Sequence, residues 1–339
     1  MRPDSSRQLI VYAILISYLI KGGIYQMATK KAASTKKATA KKPAAAKTSV
    51  RTARADAPKP KTTTVSAAVR GRSNANKLPE NIVNIVFAEL LGTFILTLVV
   101  LATYQESGAL YAGLALTVIV MAVGAISGAH VNPAVTFGLW AMRRLKSILV
   151  PFYWGAQFLG AMLAVITINW VSNNALSLSF DKITNMDWAI FGAELVGSAV
   201  FLFGIAAVVC HRELSNGARA LGIGLSLVAG VVAGTTLYTA TRTAEVARYQ
   251  SAYLATQQNQ KAEAPKIPHV AYVKGVTINP AVALAVTDRT EGELNSSNGA
   301  TTNKEKTTSR LSLEVILGTL IGAALGGNLY LLVAGRRND

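Results

Sequence analysis

The sequence predicts an all-α polytopic membrane protein with six transmembrane helices and two re-entrant half-helices arranged as an inverted repeat. Three observations predict it. Hydrophobic residues make up 51% of the 339, and mean hydropathy is +0.35, which is too apolar for an ordinary soluble domain. Six apolar segments are long enough to cross the hydrocarbon core as helices. The triplet Asn-Pro-Ala occurs twice, each time opening an apolar segment too short to cross.

The chain begins with a leader that stands outside this scheme. Residues 1–26 carry LIVYAILISYLI (residues 9–20) behind Arg2 and Arg7, a run of signal-peptide length without a small-residue cleavage site. Met27 then opens a basic tail, so residues 1–26 are expected to be a mis-assigned start or a short apolar leader. Residues 1–80 hold 17 of the 34 Lys and Arg against Asp4, Asp56 and Glu80. Residues 27–80 are Lys/Ala-rich and carry too little apolar surface to offset chain entropy, so a disordered cytoplasmic tail is expected. Such a tail enforces topology. It could also make weak nucleic-acid or anionic-lipid contacts through counterion release or surface potential.

The membrane domain covers residues 81–336. Its spans are read at 82–104, 109–126, 147–171, 187–210, 220–240 and 311–335. The two short segments begin at Val131 and Ile278, with Asn132-Pro133-Ala134 and Asn279-Pro280-Ala281 at their heads. FAELLGTF from Phe87 and GAELVGSA from Gly192 open two halves of three spans each, so the second half must enter the membrane from the opposite side. Glu89 precedes Asn132 by 43 positions and Glu194 precedes Asn279 by 85, so the second half carries an insertion, placed at about 241–272 on the outer face. Arg143, Arg144, Lys146, Arg212, Arg219, Arg336 and Arg337 all fall on the side of the tail, which puts both termini in the cytoplasm.

Proline in the first turn and asparagine before it make each triplet a helix start rather than a break. A ten-residue helix reaches only about 15 Å, so each should end near the midplane. Irregular backbone at that depth is tolerated inside protein or against a water-filled cavity. Two half-helices meeting at their amino ends would repel cations, and the asparagine amides would orient a passing water or hydroxyl. Gly318, Gly322 and Gly326, with Gly155 and Gly160, are read as helix-packing positions. Cys210 is the single cysteine and reads as a small hydrophobe.

With its paired triplets, SGAHVNPAVT and the AELLGTF opening, the chain resembles the aquaporin and glycerol-facilitator (major intrinsic protein) family over residues 81–336. The resemblance implies a homotetramer of independently conducting barrels in the plasma membrane. It implies that Glu89 and Glu194 are buried acceptors for the re-entrant loops' N–H groups, with His130 as further loop support. At the family's outer constriction it assigns Ala112, Val231 (or Gly230), Val276 and Val282, the last standing where the family usually has arginine. The expected function is a passive channel for water and small neutral solutes such as glycerol.

Two alternatives stay open. One is a strict water channel closed down by the outer insertion, with Arg242, Arg248, Lys266 or Lys274 folded over the vestibule. The other is a membrane-anchored nucleic-acid-binding protein acting through its tail. No nucleophile with a base partner, phosphate loop or metal-ligand spacing is evident, so neither an enzyme nor a cofactor or metal site is expected.

Overall fold

A computed structural model of the chain describes residues 77–103, 108–173, 178–211, 213–258, 263, 265–295 and 307–335. The expected leader and tail, and Arg212, Arg336 and Arg337, lie outside the described residues, apart from positions 77–80. All the described residues belong to one compact unit.

Ten α-helices are present among the described residues. They are α1 Ile82–Thr103, α2 Gly108–Ser127, α3 Pro133–Ala141, α4 Val150–Val171, α5 Trp188–Cys210, α6 Asn216–Gln258, α7 His269–Tyr272, α8 Pro280–Ala285, α9 Glu291–Asn295 and α10 Leu313–Ala334. Six helical segments, α4 counted with the 3-10 turn Ser147–Leu149 before it, are long and apolar enough to cross a membrane. A two-residue parallel pairing joins Leu178–Ser179 (β1) to Thr307–Thr308 (β2).

The contacts repeat between the halves. Helix α1 packs on α2 and α4, and α5 packs on α6 and α10. The short helices are exchanged: α3 lies against α10, and α8 lies against α4. Each half therefore closes on the other, and most of each short helix is buried.

The close crossings depend on glycine at matching places. A Cβ on Gly160 would strike the carbonyl of Leu90, and one on Gly322 would strike that of Leu195. Leu90 and Leu195 each follow the glutamate of their half. Gly318 and Gly326 likewise oppose the carbonyls of Phe191 and Ala199, so the glycines of α10 and these α5 carbonyls run in register at four-residue spacing. Gly155 does not share this role, because an added Cβ there would meet nothing within 4 Å.

Two lengths depart from expectation. Helix α6 does not stop near residue 240 but continues to Gln258, 43 residues in all and about 65 Å long. Its polar end holds no proline, is rich in alanine, and carries an Arg248–Glu245 pair at 2.6 Å, so helix propensity carries the chain beyond the apolar part. The second short helix has six residues rather than ten. Val286 turns extended, and its carbonyl accepts from Arg310 N at 2.8 Å while Asp288 N donates to Thr308 O at 2.9 Å. The segment 307–312 thus captures the chain before another helical turn forms.

Candidate functional site

The two triplets build near-identical corners. Asn132 caps α3, its Oδ1 accepting from Ala134 N at 2.8 Å. Asn279 caps α8, its Oδ1 accepting from Ala281 N at 3.0 Å and Val282 N at 3.3 Å. Proline occupies the first turn of both helices. The residue before each asparagine is β-branched and left-handed, Val131 at φ 43° and Ile278 at φ 44°. That conformation is strained for such side chains and persists only where surroundings enforce it.

The glutamates provide the enforcement. Glu89 Oε2 accepts from Val131 N at 2.7 Å, and Oε1 accepts from His130 N at 2.9 Å and Ser127 Oγ at 2.6 Å. Gln157 Nε2 donates a fourth bond to Oε2 at 2.8 Å. In the second half, Glu194 Oε2 accepts from Ile278 N at 2.7 Å, while Oε1 accepts from Thr277 N at 2.9 Å and Thr277 Oγ1 at 3.1 Å. Both glutamates are fully buried. His130 lies against Tyr153 with ring centroids 4.6 Å apart, and its Nδ1 is 3.1 Å from Thr136 Oγ1.

The asparagines also tie the two corners to each other. Asn132 Nδ2 donates to Ile278 O at 2.9 Å, and Asn279 Nδ2 donates to Val131 O at 3.1 Å. This modifies the expectation that both amides turn wholly to a lumen: one N–H of each is committed to the opposite corner. The carbonyls they reach belong to the two left-handed residues, so cap, strain and cross-tie form one unit.

A cavity of about 370 Å³ lies beside Asn279. Ala112, Val231, Val276 and Val282, drawn from α2, α6, the loop before α8 and α8 itself, all line it. Val231 lines this cavity, whereas Gly230 faces the Gly197 carbonyl and Phe201. Thr235, Thr236 and Thr277 add hydroxyls, and Lys274 is the one charged residue among the lining residues. Lys274 Nζ stands 3.9 Å from Glu293 Oε2. Of the other cations considered for the mouth, Arg248 is mostly exposed and paired with Glu245; Arg242 and Lys266 do not line the cavity.

Sequence reading missed a buried ionic cluster behind the second corner. Arg310, 1% exposed, lies 3.1 Å from Glu314 Oε1, 3.8 Å from Glu194 Oε1 and 4.0 Å from Asp288 Oδ1. Glu314 also accepts from Asp187 N at 2.8 Å and lies 3.1 Å from His269 Nε2. The reading counted two membrane carboxylates, whereas Glu314 is a third buried one at the head of α10. Its available signal was Arg310 and Glu314 spaced i, i+4 at the edge of an apolar run. Burial pushes the Asp288 carboxyl up, with Arg310 and Lys182 pulling the other way. Arg289 Nη1 donates to the carbonyls of Ala271, at 3.4 Å, and Val273, and Tyr238 Oη reaches Val270 O and Val273 O. These bonds fix the segment that leads into the lining residues Lys274–Thr277.

Comparison with known proteins follows the same residues. The major intrinsic protein family model matches residues 106–248. Aquaporin Z of Photorhabdus laumondii is 36% identical over 169 residues, covering 42% of this chain and 71% of that protein. Aquaporin NIP2-1 of Zea mays is 31% identical over 179 residues, covering 48% of this chain and 61% of that protein. Nodulin-26 of Glycine max is 34% identical over 125 residues, covering 36% and 45%. The chain thus spans about three fifths of the length of the maize relative. Among solved structures, the aquaglyceroporin from Plasmodium falciparum overlaps with a TM-score of 0.41 at 18% identity, covering 74% of this chain and 93% of that one.

Proposed function

The chain belongs to the major intrinsic protein family, and from that membership we propose a passive transmembrane channel for water and small neutral solutes such as glycerol. One observation carries the reading: a cavity lined by Ala112, Val231, Val276 and Val282 opens onto the capping asparagine of a buried half-helix. A neutral hydroxylic solute can trade a bond to water for one to the remaining Asn279 amide hydrogen, and its carbon skeleton fits apolar walls. An ion meets the same walls without replacement for its hydration shell, at a cost of several kcal/mol.

Cation exclusion on this reading rests on three features. The amino ends of α3 and α8 come together through the cross-tied asparagines, so the partial positive ends of two helices face the same region. The walls are apolar, and Lys274 contributes the one formal charge among the lining residues. Val282 lacks the guanidinium that would narrow the aperture, which favours glycerol-sized solutes over water alone.

The orientation follows from the basic residues. Arg144 Nη2 donates to Cys210 Sγ at 3.4 Å, and Arg219 Nη2 donates to His211 O at 3.3 Å, so the cations after α3 sit beside the α5–α6 turn. That end is cytoplasmic by the excess of Lys and Arg, and the polar end of α6 faces outward. Four copies side by side in the plasma membrane complete the proposed arrangement, each conducting through its own barrel.

The test is stopped-flow light scattering on proteoliposomes of the full chain, comparing an impermeant osmolyte with a glycerol gradient. Wild type is expected to carry glycerol faster than empty liposomes, and Val282→Arg is expected to suppress glycerol flux. Glycerol flux equal to that of empty liposomes in wild type would remove the facilitator reading.

A further inference from the structure

A second cavity, about 470 Å³, is walled by Lys182, His269, Tyr272, Arg289, Glu291 and Thr308. It lies beside the β1–β2 pairing, apart from the residues that line the channel cavity. Its charged wall residues are two cations, Lys182 and Arg289, and one carboxylate, Glu291.

Among the described residues, neither Lys182 nor Arg289 has a carboxylate within 4.0 Å. Lys182 Nζ instead sits over the Tyr272 ring, 4.4 Å from its centroid. Arg289 commits Nη1 to the Ala271 and Val273 carbonyls, its guanidinium also meets the Tyr238 hydroxyl, and the residue lines the cavity. His269 spends Nε2 on Glu314 at 3.1 Å, and Glu291 Oε1 accepts from Tyr272 Oη at 3.4 Å. Asp288, which attracts Lys182, is buried and is not part of the wall. Half-buried cations carry a desolvation cost that a counter-ion offsets. A fork of two guanidinium N–H groups beside an ammonium matches an oxyanion.

We propose that this cavity binds a small oxyanion of the phosphate class, held by the Arg289 guanidinium with Lys182 as second cation and Thr308 at the wall. Its occupant would share Arg289 with the segment leading into the channel lining, because the same guanidinium holds Ala271 and Val273. The chemistry is that of a phosphate group, whether free in solution or at the head of a lipid.

The full chain in a neutral maltoside detergent is titrated with inorganic phosphate, following 31P line width at ionic strength fixed with sodium chloride. Saturable broadening is expected for wild type, weakened about tenfold by Lys182→Glu and tightened about threefold by Glu291→Gln. Broadening that does not saturate, or that is the same in all three proteins, overturns the proposal. If Lys182→Glu does not fold, the opposed shifts of Lys182→Gln and Glu291→Gln decide. Phosphatidic acid in the same micelles names the source: displacement of phosphate supports a headgroup, and no displacement supports the free ion. Solute flux is not measured in this experiment, so the channel reading stands or falls separately.

Discussion

Glu89 offers the sharpest test of how the first corner is held. Its two carboxylate oxygens accept four bonds and donate none: His130 N and Ser127 Oγ reach Oε1, while Val131 N and Gln157 Nε2 reach Oε2. Glu89→Gln keeps the size and replaces one acceptor with a donor. If the new amide nitrogen stands in place of Oε2, Gln157 can turn its own amide, whose Oε1 has no partner, but Val131 N–H cannot move. If it stands in place of Oε1, the Ser127 hydroxyl can rotate, but His130 N–H cannot. Either way one buried backbone N–H is orphaned, at about 1–3 kcal/mol. Glu89→Ala orphans both and leaves a cavity, so about 2–6 kcal/mol is expected before any packing loss. Equilibrium unfolding in mixed detergent micelles measures the difference, and proteoliposome flux reports whether the corner keeps its shape. Two results would refute the reasoning: a glutamine variant as stable as wild type, or one as damaged as the alanine variant.

Two further outcomes follow from the geometry. Lys274→Glu inverts the one formal charge among the residues lining the cavity beside Asn279 and, on the proposed channel reading, is expected to admit a cation leak, read as sodium-dependent current in planar bilayers, while glycerol flux persists. Gly322→Val drives a side chain into the Leu195 carbonyl and must separate α5 from α10, so a loss of about 1–3 kcal/mol or more is expected by detergent unfolding, with Gly155→Ala as a near-neutral control.

The fold was legible in the sequence because its main signals are local. Spans of about 20 apolar residues and an Asn-Pro pair at a helix head need no knowledge of partners. Ala112, Val276 and Val282 were singled out by spacing relative to the triplets and the family resemblance, and all three line one cavity. The signals that failed were non-local. Nothing near Val286 announces that Arg310, 24 positions on, will take its carbonyl and end α8. Nothing near Asn132 announces that its amide will reach Ile278, a partner 146 positions away. The length of α6 was misjudged for another reason: polarity was taken as the end of a helix, when it marks only the end of the apolar face.

The duplication also explains where the two corners must differ. Each needs an acceptor for the backbone N–H groups of a left-handed β-branched residue and of the residue before it, and each half supplies a glutamate for them. In the first half the remaining lone pairs are met by neutral donors, Ser127 and Gln157, carried on α2 and α4. In the second half Gln157 has no counterpart, since Thr319, at the same distance before its glycine, turns its hydroxyl back to Val315 O. A charged residue fills that role from another element: Arg310 approaches Glu194 from the segment that also ends α8. A buried guanidinium then needs its own partners, which accounts for Asp288 and Glu314 beside it. The ionic cluster, the short α8 and the early turn at Val286 are therefore one consequence of supporting the second corner with an ion where the first uses amides and hydroxyls. The guanidinium that supports the second corner is thereby buried among carboxylates at Arg310, while the position that lines the cavity carries Val282.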